Sequence, residues 1–544
     1  MRPAGREKAE KRKKPRAHAR ILTLPVSPLL PLAAIAFSLG CSERSAHDSA
    51  PHSPAPSAAV SSSSPELALP DIAGRGTFLY QVRDAATGAP IPAKITFVGV
   101  GPTHTPSFTT TDTPLDRGRA IAAFNKVLTL SGEGRIDVPP GTYDIYVSRG
   151  PEWSLVVRPG FVVGTEEVLL DAKLTHQIDT PGWVSGDFHV HAAPSFDSKV
   201  PLRARVFEFA AEGVDVIAST DHNVVADYGP IILELNAADF ITSIHGDEVT
   251  TKDWGHFGAL PLPIDTKMTN GGAPQAKGRT PTQIFHDVRA LSKDALVTVN
   301  HPRFDRGLGY FTTAQLDRDK LTFGRKGASL DFDAIEVLNG YEHADIGQVD
   351  TVFEDWFALL KRGHLVAATG NSDTHHLDYS LAGYPRNYVP VADDEPSHIK
   401  PDDIAAAVKG KRSFFTTGPF LQLTVNGART GDLVKADHAR VTAHVIVRAA
   451  DWIPTDTLTL YVGGKVGATR ALDAKKGATR FDDDIVLDIE GMGDTFVVAR
   501  VSSNAVLPVV VGDGDKHRLS PIAVTNPVFV DVDGDGQYLG ASVR

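Results

Sequence analysis

Between residues 182 and 419 short apolar runs alternate with helix-like stretches, and nearly every apolar run is followed by a histidine or a carboxylate. The runs 214–219, 240–244, 295–299, 334–338 and 365–369 read as strands, and helical periodicity covers 202–212, 282–291, 352–361 and 402–409. Alternation of this kind predicts parallel strands joined by crossover helices. In a parallel β/α barrel the residues that follow the C-terminal strand ends converge on one rim. Side chains nearly two hundred residues apart can therefore line a single small site.

The residue types at those ends are metal-ligand types: Asp187-Phe-His189-Val-His191, Thr220-Asp221-His222, Asp247-Glu248, His256, His301 and Asp373-Thr-His375-His376. Eleven of the 20 histidines fall between residues 186 and 376. In an extended strand His189 and His191 point to the same side, as do Asp373 and His375. Imidazole combined with carboxylate suits Zn, Mn or Fe, whereas calcium favours all-oxygen ligands. A carboxylate such as Glu248 can bridge two ions. Arg303, Lys252 and Arg386, close to these segments, read equally as contacts for an anionic group or as surface charges. Trp254 and Phe257, flanking His256, suit an apolar substrate group or the core. Asp531-Val-Asp533-Gly-Asp535-Gly536 matches the start of a calcium loop, but Ser542 stands where the closing glutamate belongs, so it reads as a tight turn.

Strand-like runs at 77–82, 93–98 and 142–147, separated by Gly/Pro turns, predict a β-sandwich over 72–178; runs at 421–425, 440–447 and 457–462 predict a second over 420–544. Nine basic and two acidic residues in 1–20, then an uncharged run to Gly40 and the single cysteine, Cys41, give the layout of an export signal. Residues 1–41 thus read as a lipoprotein-type signal with Cys41 as the lipidation point, or as an ordinary cleaved signal or retained anchor. Residues 42–71, rich in Ser, Ala and Pro, read as a disordered tether. The remaining 46 basic and 64 acidic residues leave a charge of −18 beyond residue 40, which argues against nucleic-acid partners. One cysteine allows no intrachain disulfide.

The ordered set Asp187-Phe-His-Val-His191, Thr220-Asp-His222, Gly246-Asp-Glu248, His301-Pro302 and Ser372-Asp-Thr-His375 resembles the PHP (polymerase and histidinol phosphatase) metallohydrolases. With Ser148-Arg-Gly-Pro-Glu152, Glu248-Val-Thr-Thr251, Arg412-Ser-Phe-Phe-Thr-Thr-Gly-Pro419 and Thr525-Asn-Pro-Val-Phe-Val-Asp531, it looks more narrowly like the carbaryl-hydrolase-like CehA/McbA branch. The likeness spans about residues 72–544. It implies a multidomain α/β plus all-β protein: a distorted (β/α)7 PHP barrel over 179–419, flanked by a carboxypeptidase-regulatory-like sandwich and a C-terminal sandwich. It further implies two or three divalent ions. His189, His191, Glu248 and Asp373 would hold the first. Glu248 would bridge to a second, held with His256 and His301. His222, His375 and Asp197 would hold a third, although many family members have histidine where Asp197 stands. Asp187 and Asp221 would orient the ligands from behind. The implied chemistry is attack by metal-activated hydroxide, with Glu248 and Asp373 as the catalytic carboxylates and Asp373 or a histidine moving protons.

Three functions follow as expectations. The first is an exported hydrolase of an ester, carbamate or amide in a small-molecule substrate, touching the membrane only through its lipid anchor. The second is a phosphoesterase or phosphodiesterase using the same metals. The third is a cell-surface binding lipoprotein with a catalytically silent barrel.

Overall fold

Apolar alternation builds the first sheets. In the strand Gly76–Asp84 every second residue is buried, including Phe78, Tyr80 and Val82. It pairs antiparallel with Glu133–Val138 and parallel with Val168–Leu174. A second sheet runs in the order Ala120–Ala123, Lys126–Thr129, Ala93–Gly99, Gly141–Ser148, Val156–Val163. Side chains of both sheets, among them Phe78, Phe97, Ile145 and Leu170, share one apolar core. The computed structural model describes residues 74–540 apart from 75, 110–118, 305–306, 341–345, 380, 437–438, 474–476 and 513–516, and for 346–348 the backbone alone. The signal, Cys41 and the tether lie outside the described residues. Among the described residues no helix is long and apolar enough to cross a membrane.

The chain is a strand-rich α/β protein. Trp183–Val190, Val216–Ser219 and Thr242–His245 are parallel neighbours. A second sheet holds Asp247–Thr250, His256–Leu260, Leu296–Val299, Ala334–Asn339 and Ala367–Asn371 in sequence order. Here the expectation of uniformly parallel strands fails: His256–Leu260 runs antiparallel to both neighbours. With Asp247–Thr250 the reason is the short connection from Thr250 to His256, which permits a hairpin but no crossover. The two sheets meet at two isolated parallel bridges, His222 with Glu248 and Val190 with Thr374.

The expected helices appear as Leu202–Ala211, Pro281–Leu291, Ile346–Lys361 and Pro401–Lys409. Pro281–Leu291 begins with a capping box between Thr280 and Gln283 and buries Ile284, Phe285 and Val288 against Phe257 and Val297. Leu202–Ala211 is buried almost throughout, since it lies between Ile217 on one side and Ile121 and Leu128 of the N-terminal sheets on the other.

The sheet that begins with Thr242–His245 continues past residue 419. Arg386–Pro390 pairs antiparallel with Trp183–Val190 and with Phe414–Thr416, which pairs in turn with Ile522–Thr525. Thr495–Ser502, Thr457–Val462 and Lys465–Ala471 extend it. A separate four-stranded sheet, built on Phe420–Val425, Arg440–Arg448 and Thr479–Asp488, packs Leu421 and Val445 against Leu458 and Val497. The described residues belong to one compact unit. The segment at Asp531–Gly536 is a turn closed on its own carboxylate, with Asp531 accepting from the Gly534 and Gly536 amides at 2.6 and 2.9 Å.

Candidate metal centre

His189 and His191 end the strand Trp183–Val190 and are fully buried. Period-two alternation turns both rings inward, and the other nitrogen of each ring is held from behind. Glu336 Oε1 lies 3.0 Å from His189 Nδ1, and Ser195 Oγ lies 2.8 Å from His191 Nδ1. Such outer partners fix the tautomer and orientation of a ligating imidazole.

Glu248 is the centre of the group. Its carboxylate lies 3.0 Å from His189 Nε2, 2.7 Å from His222 Nδ1 and 3.3 Å from both His256 Nδ1 and His301 Nε2. Asp373 Oδ1 stands 3.2 Å from the Nε2 atoms of both His189 and His191. Asp197, 38% exposed at the rim, reaches His222 Nε2 at 3.1 Å and His375 Nε2 at 3.4 Å. His256 joins from the start of its strand rather than from an end, because antiparallel pairing returns that start to the same rim. His301 and Asp373 have positive φ angles of 27° and 51°. Left-handed backbone at non-glycine residues costs about 1–3 kcal/mol and gathers at functional sites.

Burial raises the Glu248 carboxyl, but His189, His256 and His222 together pull it well below the usual carboxylate range. Asp373 is likewise held low by His189, His191 and His375 against its burial. Burial and the neighbouring His375 lower His191 to about 3. His222 rises to about 10, because Glu248 and Asp197 outweigh its burial.

The donor set fits divalent cations. His191 Nε2, Glu248 Oε2, His256 Nδ1 and Asp373 Oδ1 are buried with no hydrogen-bond partner among the described residues. An unpaired buried polar atom costs about 1–3 kcal/mol. Ligand atoms at 2.0–2.2 Å from one ion stand roughly 3–3.5 Å apart, the range of these contacts except the 2.7 Å one between Glu248 and His222. Among the described residues five groups place their ligand atoms within 4.8 Å of one another; one, Asp494, Asp531 and Asp533, lies apart at the Asp531–Gly536 turn, and the four here are His189, His191 and Asp373; His189, Glu248 and His301; His222, Glu248 and His256; and His191, Asp197, His222 and His375. They surround a cavity of about 310 Å³ whose lining also includes Phe304, Leu308 and His376. Phe196, 77% exposed, stacks on His222 at 4.7 Å.

The outer carboxylates act through backbone. Asp187 accepts from the His189, Ser372 and Gly383 amides, and burial raises its pKa to about 7. Asp221 accepts from the Ala192 amide at 2.7 Å and the Tyr228 hydroxyl at 3.2 Å, with burial raising it to about 6.

The three candidate cations are not brought to the cavity. Arg386 is 1% exposed and donates to the Gly383, Glu212 and Gly213 carbonyls, so its role is to brace loops. Arg303 is committed to Asp355 through two hydrogen bonds of 2.6 and 2.8 Å. Lys252 is exposed on the loop before His256. Trp254 and Phe257 belong to the core.

Sequence reading missed Glu336. It is 1% exposed and accepts from Asn371 Nδ2, Asn339 Nδ2 and the His301 amide, each at 2.9 Å. Its signal was available as a lone carboxylate inside the apolar run Ala334-Ile-Glu-Val-Leu338.

No protein-family model and no curated protein matches the chain. Among solved structures it is similar to a protein from Bifidobacterium adolescentis that carries a provisional assignment as a metal-dependent phosphoesterase (15% identity, TM-score 0.24, 35% of this chain and 87% of that one). It is similar over the same shares to an amidohydrolase from Chromobacterium violaceum solved with sulfate and no metal (16% identity, TM-score 0.24). A CARDB domain from Pyrococcus furiosus matches 21% of this chain and 97% of its own length (15% identity, TM-score 0.14). The functional reading rests on the site geometry rather than on these likenesses.

Proposed function

We propose that the chain is a metal-dependent hydrolase of the PHP type, in the CehA/McbA branch, that cleaves an ester, carbamate or amide bond. The observation that carries this reading is the gathering of nine ligand-type side chains, seven of which line one cavity, with four buried ligand atoms that make no hydrogen bond among the described residues. The two bridges that join the sheets support reading them as one distorted barrel of the PHP kind. The two apolar cores beside it support flanking sandwiches. We also propose export and attachment through Cys41, which mass spectrometry of the mature N-terminus tests; an unmodified Cys41 still joined to Gly40 rules it out.

Divalent ions bound here supply an activated water and polarise the scissile carbonyl. Glu248, which belongs to two of the candidate ligand groups, would help to hold ions in both. Asp373, whose Oδ2 accepts from Asn339 Nδ2 at 3.0 Å, would hold an ion through Oδ1 beside His189 and His191, and it or a neighbouring histidine would take up the proton released by the attacking water. Phe304 and Leu308 in the cavity lining, with Phe196 exposed beside His222, offer an apolar surface to a substituent, which favours a neutral acyl substrate over a phosphate.

The test is metal analysis of the full chain with parallel assay of aryl esters, carbamates, amides and phosphates. Metal-dependent acyl hydrolysis is expected. Inactivity on every substrate after Zn, Mn or Fe addition overturns the enzyme reading, and turnover confined to phosphates makes it a phosphoesterase. Glu248→Gln is expected to lower turnover by more than about a hundredfold, since even outer partners of metal ligands are worth about 10- to 100-fold.

A further inference from the structure

The ligand segment 373–378 is gripped by buried cations outside the ligand set. Arg205, 0% exposed on helix Leu202–Ala211, donates from Nε to the His191 carbonyl at 3.0 Å and from Nη2 to the Thr374 carbonyl at 3.2 Å. Lys126 comes from the N-terminal sheets, where it opens the strand Lys126–Thr129. Its Nζ donates to the carbonyls of Leu377 at 2.7 Å and Asp378 at 3.0 Å, just beyond His375.

Lys126 is 2% exposed. A buried ammonium is costly unless oxygens satisfy it and countercharges balance it. Glu208 on the facing helix and Glu212 at its C-terminal cap supply that balance. Glu212 is also ion-paired to Lys94 of the neighbouring strand and accepts from the Tyr384 hydroxyl at 3.3 Å. Burial, with Lys94 pushing the same way, lowers the Lys126 pKa to about 7. An apolar residue of similar volume fills such a position at less cost. What the ammonium adds is directed donors, and they end on the ligand segment.

On the metal-centre reading above, we propose that Lys126 is a positioning residue: from the N-terminal sheets it fixes the turn after His375, and with it the ion position formed by His191, Asp197, His222 and His375. The N-terminal region is then part of the catalytic unit rather than an appendage. Because coupling is reciprocal, an ion that orders His375 also orders the strand bearing Lys126.

The experiment titrates Co2+ into the full-length wild type, Lys126→Met and Lys126→Arg, following stoichiometry and the visible absorption of the bound ion. At Co2+ just saturating the wild type, about ten times its Kd, Lys126→Met is expected to hold about half an equivalent less. That position should bind about tenfold more weakly, with an altered absorption band, while the remaining uptake is unchanged. Lys126→Arg, which retains donors, should recover part of the affinity. Equal loading and equal spectra for wild type and Lys126→Met overturn the inference and leave the metal centre intact. A wild type that takes up no Co2+ removes both. If Lys126→Met fails to fold by circular dichroism, hydrogen exchange on the wild type decides. Metal loading should slow exchange in 373–378 and 126–129 together, and slowing confined to 373–378 overturns the proposal.

Discussion

Glu336 never faces the cavity, yet it holds His189 by the ring and His301 by the amide. Its substitution by glutamine keeps the volume but puts an amide nitrogen against at least one existing donor. Glu336→Gln is therefore expected to weaken metal binding by about 10- to 100-fold with little change in fold, read by calorimetric titration of the metal-stripped protein. The contrast with the ligands shows what a sequence reveals at this scale. His189, His191, His222, Asp373 and His375 stand in short motifs at strand ends, where apolar packing has no use for them, so they are conspicuous. Glu336 sits mid-strand, and only its partners, 35 residues away at Asn371 and 147 at His189, give it a role. Arg386 illustrates the opposite error. Proximity in sequence to a ligand segment says nothing about direction, and its guanidinium faces the backbone of another loop.

At the level of elements, hydrophobic periodicity located most strands and helices of the middle region because each buries one face or both. Strand direction was not legible. His256–Leu260 carries the same apolar pattern whether parallel or antiparallel, and pairing alone decides. The strand Lys126–Thr129 was missed as well, since it is only four residues long and opens with a lysine whose burial depends on carbonyls 251 residues away. That lysine sets a pH dependence. Its folded pKa of about 7 lies below the unfolded value of 10.5, so between these pH values the unfolded chain binds more protons. Stability then rises with pH from about 7 towards 10.5, by up to about 1.4 kcal/mol per unit, and this contribution is flat below 7. Urea denaturation at several pH values, comparing wild type with Lys126→Met, should show the difference between them moving in favour of the wild type above pH 7. A constant difference from pH 6 to 10 would mean that Lys126 is not desolvated as the fold requires.

For the whole molecule, the expectation of a boundary at residue 419 came from the return of β-like runs, which mark a change of pattern but not where pairing stops. Phe414–Thr416 is sheet-paired to strands on both sides of that position, and its partner Ile522–Thr525 lies more than a hundred residues on. Long-range pairing leaves no local trace, so this continuity had to come from the structure. Its consequence is concentrated at Asn526, which is 0% exposed. The Asn526 carboxamide accepts from the Ala368 amide at 2.8 Å and donates to the carbonyls of Ala368 at 3.0 Å and Ser413 at 2.9 Å. It thereby clamps the strand Ala367–Asn371, whose continuation carries Asp373 and His375. Asn526→Ala strands one buried amide and two carbonyls, each costing about 1–3 kcal/mol when unsatisfied and partly relieved by relaxation. A loss of about 3 kcal/mol in urea unfolding is expected, accompanied by weaker metal binding, because the strand that delivers Asp373 loses its outer support. A stability loss with unchanged metal affinity would show that the C-terminal region supports the sheet without supporting the site. Loss of both ties Asn526, which follows the strand Ile522–Thr525, to the metal centre, as the loss of an ion position in Lys126→Met would tie the N-terminal sheets.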